Sequence, residues 1–292
     1  MRMIHFCAGL ECSNGMANTA RQFVEEDRAR GDVSEVTNDL SRIGPGVDMV
    51  MIHGAWLPIL WKAAKISRRA GARLVIRPAG SYDPARLAFH GWKKRLVSIC
   101  EHRMLRRADV LLATCESERQ WILGYEPEAK VEVTDLKRFF RLDAEASGTK
   151  RREPAVEYRV LYLGRRHPLK GVEFLQRAVA ECQRESPSSS FSGSFCLRIV
   201  SDHFGEELER DWEWCDVLCL PTLSENFGRV VAEALERGKR VIVTDGAPAW
   251  APSGGDEPWR ERLFYVSGFR DGTDAERVRL LKKALYASSA VF

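Results

Sequence analysis

The first half of the chain alternates short apolar runs with longer amphipathic stretches, a pattern that predicts strands and helices in turn. The apolar runs are continuous, which is typical of parallel strands buried on both faces of a sheet. The predicted strands cover residues 4–8, 48–53, 72–77, 109–114 and 131–134. The predicted helices cover residues 16–30, 57–70 and 92–107, with a short one from Glu116. This order of elements predicts a doubly wound α/β domain.

A polar and charged stretch at residues 142–154 interrupts this pattern, and the alternation then begins again. The second set of predicted strands covers residues 158–163, 195–201, 216–220 and 240–244. The helices of this half cover residues 172–184, 206–214 and 274–288, and another follows Gly228. We therefore expect two Rossmann-like domains, residues 1–150 and 151–292, with the terminal helix in the second domain or packed back on the first.

The composition fits a globular protein with two such cores. Hydrophobic residues make up 45% of the 292, and no run approaches the roughly 20 apolar residues of a membrane-spanning helix. The N-terminal segment is interpreted as a first strand, because it lacks the long apolar stretch and cleavage site of a signal peptide. The 8 cysteines include no CxxC pair and no zinc-like spacing. We therefore expect free thiols, no metal site and a cytosolic location.

Charge is distributed unevenly between the two halves. The formal net charge is +4, with +5 in residues 1–150 and −1 in residues 151–292. The helix predicted at residues 92–107 combines Trp92 and several aliphatic residues with a set of lysines and arginines. This composition favours a helix that lies on an anionic membrane surface. An amphipathic helix with a solvated basic face is the alternative, so we expect a cytosolic protein, either free or peripheral at the inner face of the membrane.

Polar loops follow the predicted strands of the first half, at the sheet edge where doubly wound folds bind ligands. His53 and Trp56 follow one strand, and a loop with Tyr82 and Asp83 follows the next. These four residues are candidate acceptor-binding groups; a histidine bonded to neighbouring backbone and an ordinary crossover loop are the alternatives. Gly15 precedes the first helix without a GxGxxG motif, and it is either a turn residue or part of a phosphate cradle.

Two basic residues flank a tight loop after the strand at residues 158–163. The loop reads Gly164-Arg165-Arg166-His167-Pro168-Leu169-Lys170-Gly171. A guanidinium fork and a compact ammonium group together suit a diphosphate. The position at a strand's carboxyl end favours a diphosphate site, and a solvated loop is the alternative.

Residues 221–245, PTLSENFGRVVAEALERGKRVIVTD, predict a strand end, a loop, a helix and a strand. Glu225 lies in the loop and Glu233 lies about two turns along the helix, which Asn226-Phe227-Gly228 opens. A loop carboxylate binds hydroxyls, while a glycine and a helix N-terminus admit an anion. This combination predicts a phosphorylated, hydroxyl-rich ligand such as a nucleotide sugar.

Taken together, these motifs resemble the family-4 retaining glycosyltransferases of the GT-B fold. The resemblance depends on Glu225-x7-Glu233, on Gly164-Arg165-x4-Lys170-Gly171, and on the run from His53-Gly54-Ala55-Trp56 to Arg107-Ala108-Asp109. This last run is similar to the equivalent run in bacterial enzymes that build surface polysaccharide and lipopolysaccharide. The resemblance implies two Rossmann-like domains that face a cleft, a nucleoside diphosphate sugar bound mainly to the second domain, and a glycan or glycolipid acceptor bound to the first.

The resemblance also implies residue roles. Arg165 and Lys170 would stabilise the leaving diphosphate, Glu225 would bind the donor sugar, and Glu233 would bind the ribose. The remaining donor-binding residues would be Gly15, Gly164, Asn226, Phe227 and Gly228. A hexose-type sugar would be transferred with retention, without a metal ion or a cofactor, and no nucleic acid would be bound.

Two departures from the family pattern bear on this interpretation. Ala79 occupies the position where many relatives have a histidine that contacts the donor sugar, and the segment between Ser201 and Trp214 is short. The rival hypothesis is a non-catalytic GT-B-like subunit that binds a glycan or a partner enzyme. The four charged residues Arg165, Lys170, Glu225 and Glu233 favour the enzyme.

Overall fold

A computed structural model describes residues 1–10, 15–89, 91–142, 157–184, 193–252 and 255–290. The chain divides into two compact units, Met1–Leu136 and Lys137–Phe292. The division falls before the boundary predicted at residue 150, which itself lies outside the described residues. Among the described residues, none of the helices has both the length and the apolar character that crossing a bilayer requires.

The first unit is a parallel sheet with helices on its faces. Its strands are β1 (Arg2–Cys7), β2 (Val33–Thr37), β3 (Met49–His53), β4 (Arg73–Arg77), β5 (Val110–Ala113) and β6 (Val131–Val133). Its helices are α1 (Gly15–Ala29), α2 (Pro58–Arg69), α3 (Pro84–Ala88), α4 (Gly91–Leu105) and α5 (Glu116–Tyr125). The strand order is β2-β1-β3-β4-β5-β6. Side chains of Ile4, Ile52 and Leu74 are fully buried, as continuous apolar strands require.

The second unit has the same construction. Its strands are β7 (Glu157–Leu163), β8 (Ser194–Val200), β9 (Val217–Leu220), β10 (Arg240–Thr244) and β11 (Leu263–Val266), in the order β11-β10-β9-β7-β8. Its helices are α6 (Val172–Arg184), α7 (Glu206–Trp214), α8 (Arg229–Glu236) and α9 (Asp274–Ser289). The terminal helix α9 packs within this unit, against α6 and the β10–β11 edge of the sheet.

Both sheets reverse their strand order at one point, and this reversal positions the candidate site. In the first unit the order reverses between β1 and β3, and in the second unit it reverses between β7 and β9. All strand pairs at these points are parallel. Because the loops after two such strands leave in opposite directions, a crevice opens at their carboxyl ends, where open α/β sheets bind ligands.

The elements that the sequence did not predict include the edge strands β2 and β11. Val33 at the start of β2 is 71% exposed, and most residues of both strands are only partly buried. A strand that pairs on one side alone needs no continuous apolar run, so its pattern is weak. The helix α3 was also missed, since it has only 5 residues.

Candidate functional site

In the second unit, the loops after β7 and β9 are joined by backbone hydrogen bonds. The carbonyl of Leu169 accepts from the backbone N–H of Leu223 at 2.9 Å and of Ser224 at 3.3 Å. It also accepts from the hydroxyl of Thr222 at 3.0 Å. The two loops that carry the predicted donor-binding residues are therefore fixed against one another.

Two glycines make this approach possible. Gly171 has a left-handed backbone, with φ of 61°, and a Cβ atom there would collide with the carbonyl oxygen of Pro221. A Cβ atom at Gly246, after β10, would likewise collide with the carbonyl oxygen of Thr222. The carbonyl of Gly246 accepts a hydrogen bond from the backbone N–H of Glu225 at 2.7 Å. Any side chain at either position would push the loops apart.

The ammonium group of Lys170 forms an ion pair with the carboxylate of Glu225. The two side chains are 18% and 17% exposed, so the pair is largely shielded from water but reachable. The other Glu225 oxygen, Oε1, accepts from the backbone N–H of Asn226 at 3.0 Å. The structure thus brings together a cation and a carboxylate that lie far apart in the sequence, and both are residues of the predicted donor site.

Arg165 lies at the end of β7, and its side chain is exposed. Its main chain is anchored, because its carbonyl accepts from the hydroxyl of Tyr162 at 2.9 Å. The preceding Gly164 donates its N–H to the carbonyl of Val200 at 2.9 Å. Arg165 therefore extends from a fixed strand end, on the same loop as Lys170.

Gly228 begins helix α8 in a left-handed conformation, with φ of 66°. A Cβ atom there would meet Glu225 Cγ at 3.2 Å, so the glycine keeps the helix start close to the carboxylate. Within the described part of the chain, the N–H groups of Phe227 and Gly228 have no hydrogen-bond acceptor. Two such donors at a helix N-terminus suit an anion.

The side chain of Phe227 is a core residue and not a ligand-facing group. It is 4% exposed, stacks on Phe140 at a centroid distance of 5.8 Å, and packs tilted against Trp250 at 5.2 Å. Its carbonyl accepts from the indole N–H of Trp250. The predicted donor contact at Phe227 is therefore restricted to its backbone N–H.

Glu233 lies on α8 with its side chain 26% exposed. Its Oε1 is 3.5 Å from Nη2 of Arg229, one turn earlier. Burial raises the pKa of Glu233, and the positive charge of Arg229 opposes that shift. Arg229 was not predicted as a site residue, although its i, i+4 spacing from Glu233 was the available signal in the sequence.

In the first unit, His53 lies inside a chain of buried polar side chains. Arg77 Nε donates to His53 Nδ1 at 3.1 Å, and His53 Nε2 is 3.0 Å from His5 Nδ1. His5 Nε2 is in turn 2.8 Å from Asp27. Since the guanidinium can only donate, the direction of each bond follows: both histidines are neutral and carry their proton on Nε2. Burial and the charge of Arg77 hold the pKa of His53 well below 6.5.

Tyr82 and Asp83 are also buried, each 1% exposed. The Tyr82 hydroxyl donates to Glu101 Oε1 at 2.5 Å, and Asp83 caps α3 by accepting from the N–H of Ala85 at 2.9 Å. His53, Tyr82 and Asp83 thus support the loops from within and do not present their side chains to an acceptor in this structure.

Trp56, a predicted acceptor residue, and Ala79, at the position of the family histidine, share an unusual backbone conformation. Both have left-handed backbones, with φ of 68° and 55°, which costs about 1–2 kcal/mol for a residue other than glycine. Buried glutamates hold these loops. Glu101 accepts from the N–H of Trp56 at 3.1 Å, and Glu118 accepts from the N–H after Ala79 at 2.6 Å. Strained loops held in this way are typical of ligand sites, and Trp56 is partly exposed.

Gly15 begins α1, and its carbonyl accepts from the hydroxyl of Thr19 at 2.8 Å. Residues 11–14, which precede Gly15, lie outside the described residues, so the contact of Gly15 with phosphate stays a prediction. No group of three or more His, Cys, Asp or Glu side chains is close enough to hold a metal ion among the residues that the structure describes.

Part of the chain is similar in sequence to known glycosyltransferases. Residues 20–136 match a glycosyl transferase 4-like domain. A D-inositol 3-phosphate glycosyltransferase of Corynebacterium jeikeium is 28% identical over 181 residues, covering 50% of this chain and 43% of the relative. The corresponding enzyme of Corynebacterium efficiens is 24% identical over 178 residues, covering 49% and 42%. The match thus spans less than half the length of these curated relatives.

Solved structures share the fold across the whole chain. Anabaena HepE in complex with UDP covers 99% of this chain and 93% of its own, with a TM-score of 0.60 at 17% identity. Sucrose-phosphate synthase of Thermosynechococcus elongatus covers 99% and 92%, with a TM-score of 0.65 at 15% identity. WaaG, involved in lipopolysaccharide biosynthesis, covers 99% and 94%, with a TM-score of 0.57 at 13% identity. Because the sequence identities are below 25%, the similarity to these structures establishes the fold alone.

Proposed function

Since this chain is a GT-B protein that carries a glycosyl transferase 4-like domain, we propose that it is a retaining glycosyltransferase. It transfers a hexose-type sugar from a nucleoside diphosphate sugar to a glycan or glycolipid acceptor in cell-surface polysaccharide or lipopolysaccharide synthesis. The observation that carries this proposal is the convergence of Lys170 and Glu225 where the second sheet reverses its order. A cation for phosphate and a carboxylate for hydroxyls are the two chemistries that a nucleotide sugar requires.

The donor diphosphate is bound by Arg165, Lys170 and the N–H groups of Phe227 and Gly228. In the transfer step, the bond between the anomeric carbon and the diphosphate oxygen breaks, and negative charge develops on the leaving group. Fixed cations and backbone donors aimed at that charge lower the barrier without reorganising. Glu225 holds the sugar hydroxyls, and Glu233 holds the ribose hydroxyls.

The acceptor hydroxyl attacks the anomeric carbon on the face that the diphosphate leaves, so the configuration is retained. Its proton passes to the departing diphosphate. The protein then needs no carboxylate nucleophile, no metal ion and no cofactor for this step. Glu225 and Glu233 come from one short segment and are assigned to binding, not to a glycosidase-type acid and base pair.

The acceptor binds at the carboxyl ends of β3 and β4 in the first unit. Of the predicted acceptor residues, Trp56 has the exposure that a ligand contact needs. Its indole N–H donates to the carbonyl of Ser81 at 3.3 Å, and Lys94 Nζ lies 5.7 Å from its ring centroid. An aromatic face beside a cation suits a sugar ring that carries a phosphate.

A membrane-borne acceptor is supported by the surface of α4. Trp92, Leu96 and Ile99 are 65%, 74% and 62% exposed, and their spacing places them on one face of the helix. Lys93, Arg95 and Arg103 are also exposed on this helix. Apolar side chains with basic neighbours fit the interface of an anionic bilayer, so we place the protein at the inner face of the membrane as a peripheral protein.

The test is a thermal-shift and turnover series with UDP, GDP, ADP and dTDP and their sugars. One nucleotide stabilises the wild type, and Glu233→Ala loses most of the shift. Addition of an acceptor (D-inositol 3-phosphate, a phosphorylated glycan, a lipid-linked sugar) then causes donor consumption, and NMR of the product identifies a retained anomer. Nucleotide binding without turnover across these acceptors would instead identify a non-catalytic GT-B-like subunit.

A further inference from the structure

Arg229 lies in the first turn of α8, beside a carboxylate and an aromatic ring. Its Nη2 is 3.5 Å from Glu233 Oε1, and its guanidinium carbon lies 5.0 Å from the ring centroid of Phe140. The arginine side chain is 17% exposed, and burial lowers its pKa. A desolvated guanidinium stacked on an aromatic ring has little freedom to rotate away from the carboxylate.

Phe140 is itself fixed by its neighbours. It stacks on Phe227 at 5.8 Å, and its backbone N–H donates to the carbonyl of Lys137 at 2.9 Å. The next residue, Arg141, donates its N–H to Glu236 on α8 at 2.7 Å. The ring is therefore attached both to the loop that precedes α8 and to the helix itself.

The other charged groups around Glu233 act differently. Arg237 Nη1 donates to the main-chain carbonyl of Glu233 at 3.1 Å, and its Nη2 donates to Glu209 at 2.7 Å. Glu236 repels the Glu233 carboxylate and raises its pKa, whereas Arg229 and, less strongly, Arg237 lower it. Within the described part of the chain, Arg229 is thus the cation that contacts the carboxylate itself.

We propose that Arg229, held by the ring of Phe140, is a positioning residue that keeps the Glu233 carboxylate ionised and aimed at the ribose hydroxyls of the donor. The inference rests on the proposed function, since it assigns Arg229 a part in the same donor site. Glutamate accepts strong hydrogen bonds only when ionised. A neutral residue at position 229 would leave a half-buried acid that protonates more easily and turns more freely.

The test compares the affinity of UDP, GDP and ADP with that of their 2′,3′-dideoxy counterparts. In the wild type, loss of the two ribose hydroxyls weakens the affinity of the nucleotide that binds about 10-fold, the value of one hydrogen bond to a charged group. In Arg229→Gln the ratio of the two affinities, ribonucleotide over dideoxynucleotide, falls toward one. As the pH is lowered, this ribose preference is lost at a higher pH than in the wild type, because removal of the cation raises the pKa of Glu233. Affinity for inorganic pyrophosphate, which has no ribose, is unchanged.

Three further variants separate positioning from folding. Arg229→Lys restores part of the ribose preference, and Phe140→Leu weakens it by loosening Arg229, although Phe140 carries no charge. Arg237→Gln removes an equal charge one turn further along and lowers the ratio less than Arg229→Gln does. If the wild type prefers the ribose nucleotide and Arg229→Gln keeps the same ratio and pH profile, the inference is overturned while the proposed function stands. If the wild type binds no nucleotide, the proposed function falls and this inference with it.

Discussion

Gly171 lies directly against the carbonyl of Pro221, and this contact sets the distance between the two loops of the candidate donor site. The loop after β7 carries Lys170, and the loop after β9 carries Glu225. The left-handed backbone at Gly171 allows the first loop to turn onto the second. The ion pair therefore depends on a residue that has no side chain.

Gly171→Ala is expected to destabilise the protein by about 3 kcal/mol, since it adds a backbone collision to the strain of a left-handed alanine. Urea unfolding measures this loss, and nucleotide affinity falls with it. Gly124→Ala on α5 is the matched control, because a Cβ atom there meets nothing within 4 Å. The control is expected to be neutral or to stabilise by about 0.5–1 kcal/mol. Equal behaviour of the two variants would refute the packing argument.

Lys170→Met is expected to weaken nucleoside diphosphate binding about 10- to 100-fold, the effect of losing a charge-assisted contact to phosphate. Isothermal titration of the nucleotide identified by the thermal-shift series measures it. The affinity of the wild type should also fall more steeply with salt than that of the variant. Lys62→Met, an exposed lysine on α2 of the other unit, is the control and should leave both quantities unchanged.

The fold is the part of this protein that the sequence predicted well. The fold class, two doubly wound α/β units of GT-B type, is confirmed. Lys170 and Glu225 could be placed together from sequence because each follows a strongly apolar strand, and parallel strands end at one edge. Arg229 was not predicted as a site residue because a single arginine at the start of an amphipathic helix is ordinarily a solvent-exposed surface residue.

The sequence pattern did not show which of the predicted acceptor residues have buried side chains. Tyr82 and Asp83 occur in a polar loop, which suggests ligand contact, yet the structure uses both to hold the loop to Glu101 and to α3. The partner of Tyr82 is a buried glutamate that the sequence places on a basic helix. No local pattern distinguishes such a supporting hydrogen bond from a group that faces a ligand.

His53 is expected to make the protein less stable in mild acid. Its pKa in the folded protein is held well below 6.5, so below about pH 6.5 the unfolded chain binds a proton that the folded chain does not. Stability that is complete above this pH is therefore lost as pH falls toward the folded pKa. The slope is about 1.4 kcal/mol per pH unit for one proton.

Chemical unfolding between pH 7.5 and 5 tests this expectation. His53→Asn keeps an acceptor near the position of Nδ1 but cannot titrate. The loss in free energy of unfolding that the substitution itself causes is measured at pH 7.5. Between pH 7.5 and 5, the free energy of unfolding of His53→Asn should fall less steeply than that of the wild type. Parallel curves for the two proteins would contradict the assignment of a neutral His53.

The exposed apolar and basic residues of α4 predict binding to vesicles that contain phosphatidylglycerol. The double variant Leu96→Asp and Ile99→Asp is expected to abolish flotation with these vesicles, since it adds negative charge where two apolar side chains would enter the interface. High salt should weaken wild-type binding. Val133→Asp alters an exposed apolar residue on β6 of the same unit and should not affect flotation. Equal flotation with pure phosphatidylcholine would argue against the charge component.

The polar chain through the first unit has a consequence for how this sequence can diverge. Arg77 donates to His53, His53 to His5, and His5 to Asp27, which also accepts from Ser34 at 2.9 Å. Because every proton points toward the acid, replacing Asp27 by an apolar residue would leave the N–H of His5 and the hydroxyl of Ser34 without their buried acceptor. Substitution at one of these positions is therefore tolerated only with a change at the next, and we expect residues 5, 27, 53 and 77 to covary as a set among related proteins.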